Sequence, residues 1–181
     1  LQAAGLNLTR TFSGTYRELK SSFRIVNNTL APAPDRYTCP WPRTDAPGET
    51  LGGARFDLRR YDERYFARLR DFVAQAGRRG VVVELVLFCV FYNDDLWRAN
   101  PMWTGNNVNG LGDCSRFDAF AATRNDLLPV QIDFVRRVSR ELADLDNLYY
   151  EIMNEPYIVD KCTGYDPWQR RMIDVLAEAE A

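Results

Sequence analysis

The sequence predicts an α/β fold, and within that class about three βα units of a (β/α)8 TIM barrel, its second to fourth strands. Three observations predict it. Apolar strands alternate with amphipathic helices in the order (α)βαβαβα, which demands parallel strands joined by crossover helices. One strand, Val81 to Phe91 (VVVELVLFCVF), is apolar at nearly every position, as a parallel strand covered on both faces must be. The connections are lopsided: helix-to-strand turns take a few residues, whereas strand-to-helix loops run to tens of residues, against a usual length of about 4 to 6. All decoration therefore gathers at the C-terminal ends of the strands, where a barrel, and equally an open α/β sheet, places its site. A nucleotide-binding sheet is the rival, but no G-x-G-x-x-G follows a strand and there is no Walker lysine.

The elements follow in order. Leu1 to Ala4 and Gly5 read as a helix end with its glycine cap, so the natural N-terminus is expected to lie upstream. Leu6 to Phe12 then forms a strand. Ser13 to Tyr61 is turn-rich, with five prolines between Pro32 and Pro47 and room for a helical turn between Thr15 and Phe23. Asp62 caps a helix with an apolar stripe of Phe66, Leu69, Phe72, Val73 and Ala76, ending at Gly77 or Gly80. After the central strand comes an Asn/Gly-rich connection to about Asn125. Asp126 and Pro129 then start a helix carrying Val130, Phe134, Val138, Leu142 and Leu145. Asn147 to Met153 is the third strand. Asp166-Pro167 opens a last helix with Trp168, Met172, Val175, Leu176 and Ala179 inward. A closed barrel takes eight strands in about 250 residues, so residues 1–181 read as one partial domain that lacks the first strand and the last four. The remainder of the barrel is then required, and the unclosed sheet edges should promote aggregation or dimerisation.

Composition narrows the function. The 181 residues are 46% hydrophobic and 13% aromatic, enough for a buried core. A net charge of -2, from 23 basic and 25 acidic residues without a polybasic run, gives no footprint for nucleic acid or an anionic membrane. No apolar run reaches bilayer-spanning length. The chain has no histidine, which removes Ser/His/Asp and Cys/His dyads and imidazole metal sites and leaves carboxylate chemistry; no metal or cofactor is expected. The four cysteines form no C-x-x-C pair. Cys89 should be a buried thiol, and Cys114 and Cys162, in loops after neighbouring strands, are candidates for a disulfide. An extracytoplasmic location is favoured over a cytoplasmic one.

The sharpest motif is Tyr149-Tyr150-Glu151-Ile152-Met153-Asn154-Glu155-Pro156. As a tripeptide, Asn-Glu-Pro is ordinary turn chemistry; at a strand mouth it becomes a candidate site. A protonated glutamate there can hand a proton to a leaving oxygen, and the adjacent amide can hydrogen-bond a sugar hydroxyl. On these residues, and on Gly5 to Arg10, Gly52 to Leu58 and Arg79 to Glu84, the chain resembles the cellulase-like glycoside hydrolases of family 5 and clan A. The resemblance implies a retaining glycosidase acting on a carbohydrate substrate with β-linked sugars. It makes Glu155 the acid/base, has Asn154 hold the sugar 2-hydroxyl and Arg10 orient the nucleophile, and puts the nucleophile on a seventh strand outside this chain. Many members also carry an active-site histidine, which is absent here.

Other residues are read from the chain itself. Glu84 and Glu151 lie inside strands and are expected in ion pairs rather than as nucleophiles. Period-two alternation groups Glu151 with Glu155, and groups Arg10 with Leu6 and Leu8, so Arg10 reaches the site only through a twist or bulge. Trp41, Tyr92, Trp97, Trp103 and Tyr157 all follow strands and are candidate sugar platforms. Asp94 and Asp95 cap a short helix, and Asn109-Gly110 is a turn. The competing class is a degenerate, non-catalytic carbohydrate-binding or structural half-barrel.

Overall fold

A computed structural model describes residues 1–123, 125–156 and 165–180. The chain alternates as expected, through β1 (Leu8–Phe12), α1 (Glu63–Gly77), β4 (Val82–Cys89), α3 (Leu128–Leu142), β5 (Leu148–Asn154) and α4 (Tyr165–Glu180). The long loop after β1 holds an antiparallel ribbon, β2 (Arg43–Pro47) and β3 (Ala54–Phe56), which the proline-rich sequence concealed. A short helix, α2 (Asp94–Arg98), follows β4.

The main sheet is parallel with strand order β1-β4-β5. Its register runs without interruption from Leu8 opposite Val82 to Phe12 opposite Val86. On the other side it runs from Val83 opposite Leu148 to Cys89 opposite Asn154. Among the described residues this is an open, three-stranded sheet and no barrel is closed; β1 and β5 are its edges. No helix among them is long and apolar enough to cross a membrane.

Helices α1, α3 and α4 cover one face. In α1 the Asp62 side chain accepts from Arg64 N, and Tyr65, Phe66, Leu69 and Val73 turn inward. Phe72, expected in that stripe, is 42% exposed and lines an open cavity together with Tyr65 and Leu69. Gly80 adopts φ +66, a left-handed turn that sends the chain directly into β4. Helix α3 departs from its expected cap. The Asp126 carboxylate accepts from Gly112 N at 3.0 and 3.2 Å, and Leu127 stands at the N-cap without a side-chain bond. Gln131 is buried among apolar neighbours, donating to Ala119 O and accepting from Trp168 Nε1, both at 2.8 Å. That satisfaction is what makes a buried amide affordable. Trp168, Met172 and Val175 are fully buried, as the periodicity of α4 predicts. In α2 the helix falls where expected, but its cap is Asn93, which accepts from Leu96 N at 2.9 Å.

The opposite sheet face is less covered. Leu8, Val82 and Tyr149 are 47%, 38% and 45% exposed at its lower end, while Leu85 to Val90 are all buried. The central strand is therefore covered on both faces only in its upper half, beneath the long loops. Ser13 and Thr15 hydroxyls, both donating to Leu87 O at 2.6 Å, tie the first of these loops to β4.

Candidate active site

Parallel pairing sets Arg10 opposite Glu84, and both point from the helix-free face. Arg10 Nε donates to Glu151 Oε2 at 3.1 Å, Nη2 also contacts that oxygen, and Nε lies 3.5 Å from Glu84 Oε1. One guanidinium thus stands between two carboxylates that would otherwise repel each other. Burial works against the Arg10 charge, but the hydrogen bond and charge of Glu151, with Glu84 behind, outweigh it and raise the guanidinium above its ordinary value. Arg10 Nη2 further donates to Asn154 Oδ1 at 2.7 Å.

From Asn154 the network continues across the strand ends. Asn154 Nδ2 donates to Tyr92 OH at 3.1 Å and to Cys89 Sγ at 3.4 Å. Tyr92 OH donates to Glu155 Oε2, and the Cys89 thiol reaches the same phenol oxygen at 3.8 Å. Burial, then the hydrogen bond to Glu155, raise the Tyr92 phenol far above its usual range. Burial likewise pushes the Cys89 thiol up to about 11. Glu155 is partly buried and has φ +54, a left-handed conformation that costs a non-glycine residue about 1 kcal/mol or more. It turns the chain sharply where β5 ends.

Arg10, Asn154, Glu155 and Tyr92 therefore come together as the sequence expects, but by another route. β1 is regular, without a bulge, and the side shared by Arg10 and Leu8 is the open face itself. The departure from alternation lies in its neighbours. Glu84 meets Arg10, yet Phe88, four residues on, packs on Phe134 of α3 and Trp168 of α4 with ring centroids 5.7 and 5.1 Å apart. Glu151 and Asn154, three apart, both meet Arg10. Twist near the ends of β4 and β5 rolls Cys89 and Asn154 onto the site.

The aromatic platforms need correction. Trp41 and Trp97 are buried core residues. Trp41 packs on Phe134 at 6.0 Å; Trp97 packs on Phe91 at 4.8 Å and donates its Nε1 to Cys114 O at 2.9 Å. Trp103 is half-buried and closes over Gly105, where an added Cβ would sit 2.0 Å from the indole. Long loops need their own small cores, and these indoles supply them. Tyr157 lies outside the described residues. So does Cys162; its expected partner Cys114 carries a free thiol. The sequence reading missed Cys89 at the site, though its place three residues before Tyr92 at the end of β4 is a usable signal. It also missed a buried ion pair, Arg17 Nη1 to Glu49 Oε1 at 3.1 Å.

Among the described residues no group of three or more Cys, Asp or Glu side chains is placed to hold a metal ion. Two cavities of about 420 and 430 Å³ open beside α1, lined in part by Tyr37, Thr38 and Arg68. Neither touches Arg10, Asn154 or Glu155, so concavity alone does not mark the chemistry here.

The chain matches no protein-family model and no curated protein sequence. Among solved structures it is similar to a Bacteroides vulgatus protein provisionally classed as a glycoside hydrolase, with a TM-score of 0.60 and 19% identity over 97% of this chain and 27% of that one. Endo-glycoceramidase II from Rhodococcus, solved as a lactosyl-enzyme intermediate, aligns over 67% of this chain and 34% of its own at 21% identity and a TM-score of 0.46. The chain thus spans about a quarter of the length of its Bacteroides neighbour, and what the two share is the α/β fold with a parallel sheet that glycoside hydrolases of the TIM-barrel type are built on.

Proposed function

We propose that this chain supplies the acid/base half of a retaining glycosidase active site, within a (β/α)8 barrel whose remaining strands, and nucleophile, lie outside it. The observation that carries the reading is Glu155, turned at the C-terminal mouth of β5 and held by a hydroxyl beside an amide that is itself fixed by an arginine.

In the first step the Glu155 carboxylic acid gives its proton to the glycosidic oxygen as the nucleophile's carboxylate attacks the anomeric carbon and the C–O bond breaks. In the second, the Glu155 carboxylate takes a proton from water, whose oxygen attacks the anomeric carbon and releases the nucleophile. Retention requires the two carboxyl groups about 5 to 5.5 Å apart. Asn154 suits the role of a sugar-hydroxyl partner. Both its N–H groups are engaged by Tyr92 and Cys89, so Oδ1, with one lone pair on Arg10, accepts from the sugar with the other.

Glu155→Ala in the full-length protein tests this. Activity on natural substrates, whose leaving groups need a proton, should fall by a factor of about 100 to 10,000. Aryl glycosides with good leaving groups should still form the covalent intermediate, and azide should rescue turnover to a glycosyl azide of retained configuration. Near-intact activity on natural substrates would make Glu155 a structural residue, and an inverted azide product would make it the nucleophile.

A further inference from the structure

We infer that Tyr92 is a positioning residue for Glu155, the last member of a directional hydrogen-bond relay from Arg10 through Asn154 that orients the carboxyl group for proton transfer. The inference rests on the acid/base reading of Glu155 and adds to it a role for three other side chains.

The polarity is set at one end. A guanidinium has donors and no acceptor, so the group facing Arg10 Nη2 at 2.7 Å must be the Asn154 carbonyl oxygen. The amide nitrogen then faces the other way and donates to Tyr92 OH at 3.1 Å and to Cys89 Sγ at 3.4 Å. The phenol oxygen accepts from Asn154 and is approached by the Cys89 thiol at 3.8 Å, so its two lone pairs are occupied. Its single proton is left for Glu155 Oε2. The relay therefore holds Glu155 through Oε2 and sets the orientation of its carboxyl group at the end of β5.

Each link holds its neighbour. The Tyr92 ring is gripped edge-on by Phe23 at 5.2 Å and Tyr16 at 6.2 Å. That grip replaces the platform role expected of Tyr92: the ring serves as the mount for its hydroxyl. Burial keeps the phenol and the Cys89 thiol protonated well above neutral pH, so the relay keeps its direction throughout the range in which a carboxylic acid titrates. Bonds aligned head to tail from a cation also strengthen one another.

The test compares two leaving groups in the full-length protein. Tyr92→Phe keeps the ring and deletes the hydroxyl. It should slow formation of the glycosyl-enzyme from a phenyl glycoside, whose leaving group needs the proton, by about 10- to 100-fold. Formation from the 2,4-dinitrophenyl glycoside of the same sugar should stay within about threefold. Equal losses on both substrates, or none on either, would overturn the inference. Site-specific 3-fluorotyrosine at position 92 retains ring and hydroxyl and changes only donor strength. It should change the phenyl glycoside rate more than twofold and spare the dinitrophenyl glycoside; the absence of that difference overturns the inference even if Tyr92→Phe fails to fold. Glu155→Ala, run alongside, separates the two claims. If it shows no discrimination between leaving groups, the acid/base reading itself fails; if it discriminates and the Tyr92 variants do not, only the relay fails.

Discussion

Arg10 Nη2 donates to Asn154 Oδ1 at 2.7 Å while the same guanidinium holds Glu151, three residues earlier on the same strand. A flat strand would send those two side chains to opposite faces. Their convergence on one cation shows the end of β5 rolled toward the sheet's open face, and the cation is what makes the roll tolerable. Without it Glu84 and Glu151 would face each other on adjacent strands.

The first prediction follows from that arrangement. Arg10→Ala should destabilise the fold by about 1 to 3 kcal/mol, through like-charge repulsion and loss of hydrogen bonds to charged groups. Arg10→Lys should recover only part of this, since an ammonium cannot serve Glu151, Asn154 and Glu84 with one planar fork. The Arg10/Glu151 double-mutant cycle should give a coupling of about 1 kcal/mol, because both side chains are partly solvated. Urea denaturation measures all three, and a cycle near zero would show that the pair is screened.

The alternation of strands and helices, the helix stripes and the strand-mouth position of Glu155 were legible in the sequence because each rests on local periodicity. Arg10's route to the site was not. Alternation applied to β1 alone suggests a bulge there, whereas β1 pairs regularly and the departure shows in the contacts at the ends of β4 and β5, where Phe88 packs on the helices and Asn154 meets Arg10. Twist near a strand end depends on neighbouring strands and leaves no mark on one strand's pattern. Trp41 and Trp97 failed for a related reason. Position after a strand locates a residue in a loop, but whether its ring faces sugar or packs beneath that loop depends on contacts such as Phe134 and Phe91 from distant parts of the chain.

The buried pair Arg17 and Glu49 joins the loop after β1 to the loop of the β2–β3 ribbon, with both side chains fully inaccessible. Arg43 Nη2 approaches the second Glu49 oxygen at 3.6 Å, and the Arg17 guanidinium lies over the Tyr37 ring at 4.3 Å. Glu49→Gln should therefore cost about 3 to 5 kcal/mol, since it leaves two cations facing a neutral amide. The double variant Arg17→Met/Glu49→Leu should recover most of that loss by removing both desolvated charges. Chemical denaturation of the two proteins decides it; a double variant no better than Glu49→Gln would show that the ion pair itself stabilises the loops.

Asp62 offers a pH-dependent prediction. The Arg64 side chain above all holds its carboxyl below the ordinary value; burial opposes this, and the Arg64 backbone N–H that Asp62 caps adds to the lowering. A carboxylate depressed in the folded state contributes stability that is present above its unfolded pKa and lost as pH falls through the folded one. Asp62→Ala should thus lower stability by about 1 kcal/mol at pH 7. The gap between variant and parent should close as the pH falls below about 4, the ordinary Asp value. A gap that persists in acid would mean that Asp62 acts through packing rather than charge.

The thiols give the last prediction. Burial pushes Cys39 up to about 12 and Cys89 up to about 11, and burial together with Asp126, Asp118 and Asp113 brings Cys114 to about 11. Cys39 and Cys89 are inaccessible, so their silence toward reagents would have two causes. Cys114 is half-exposed and separates them, because a reagent can reach it and only its ionisation is suppressed. At neutral pH it should carry about 300-fold less thiolate than an ordinary thiol near 8.5. Iodoacetamide should therefore alkylate Cys114 at a rate that climbs about tenfold per pH unit up to pH 10, since only the thiolate attacks. Asp118→Asn should speed the reaction at fixed pH, by removing one of the negative charges that oppose ionisation. After unfolding in guanidinium without reductant, Cys114 should label as fast as a model thiol. Failure to label even then would mean that Cys114 is oxidised rather than a free thiol, and that its slow reaction in the folded protein does not come from suppressed ionisation.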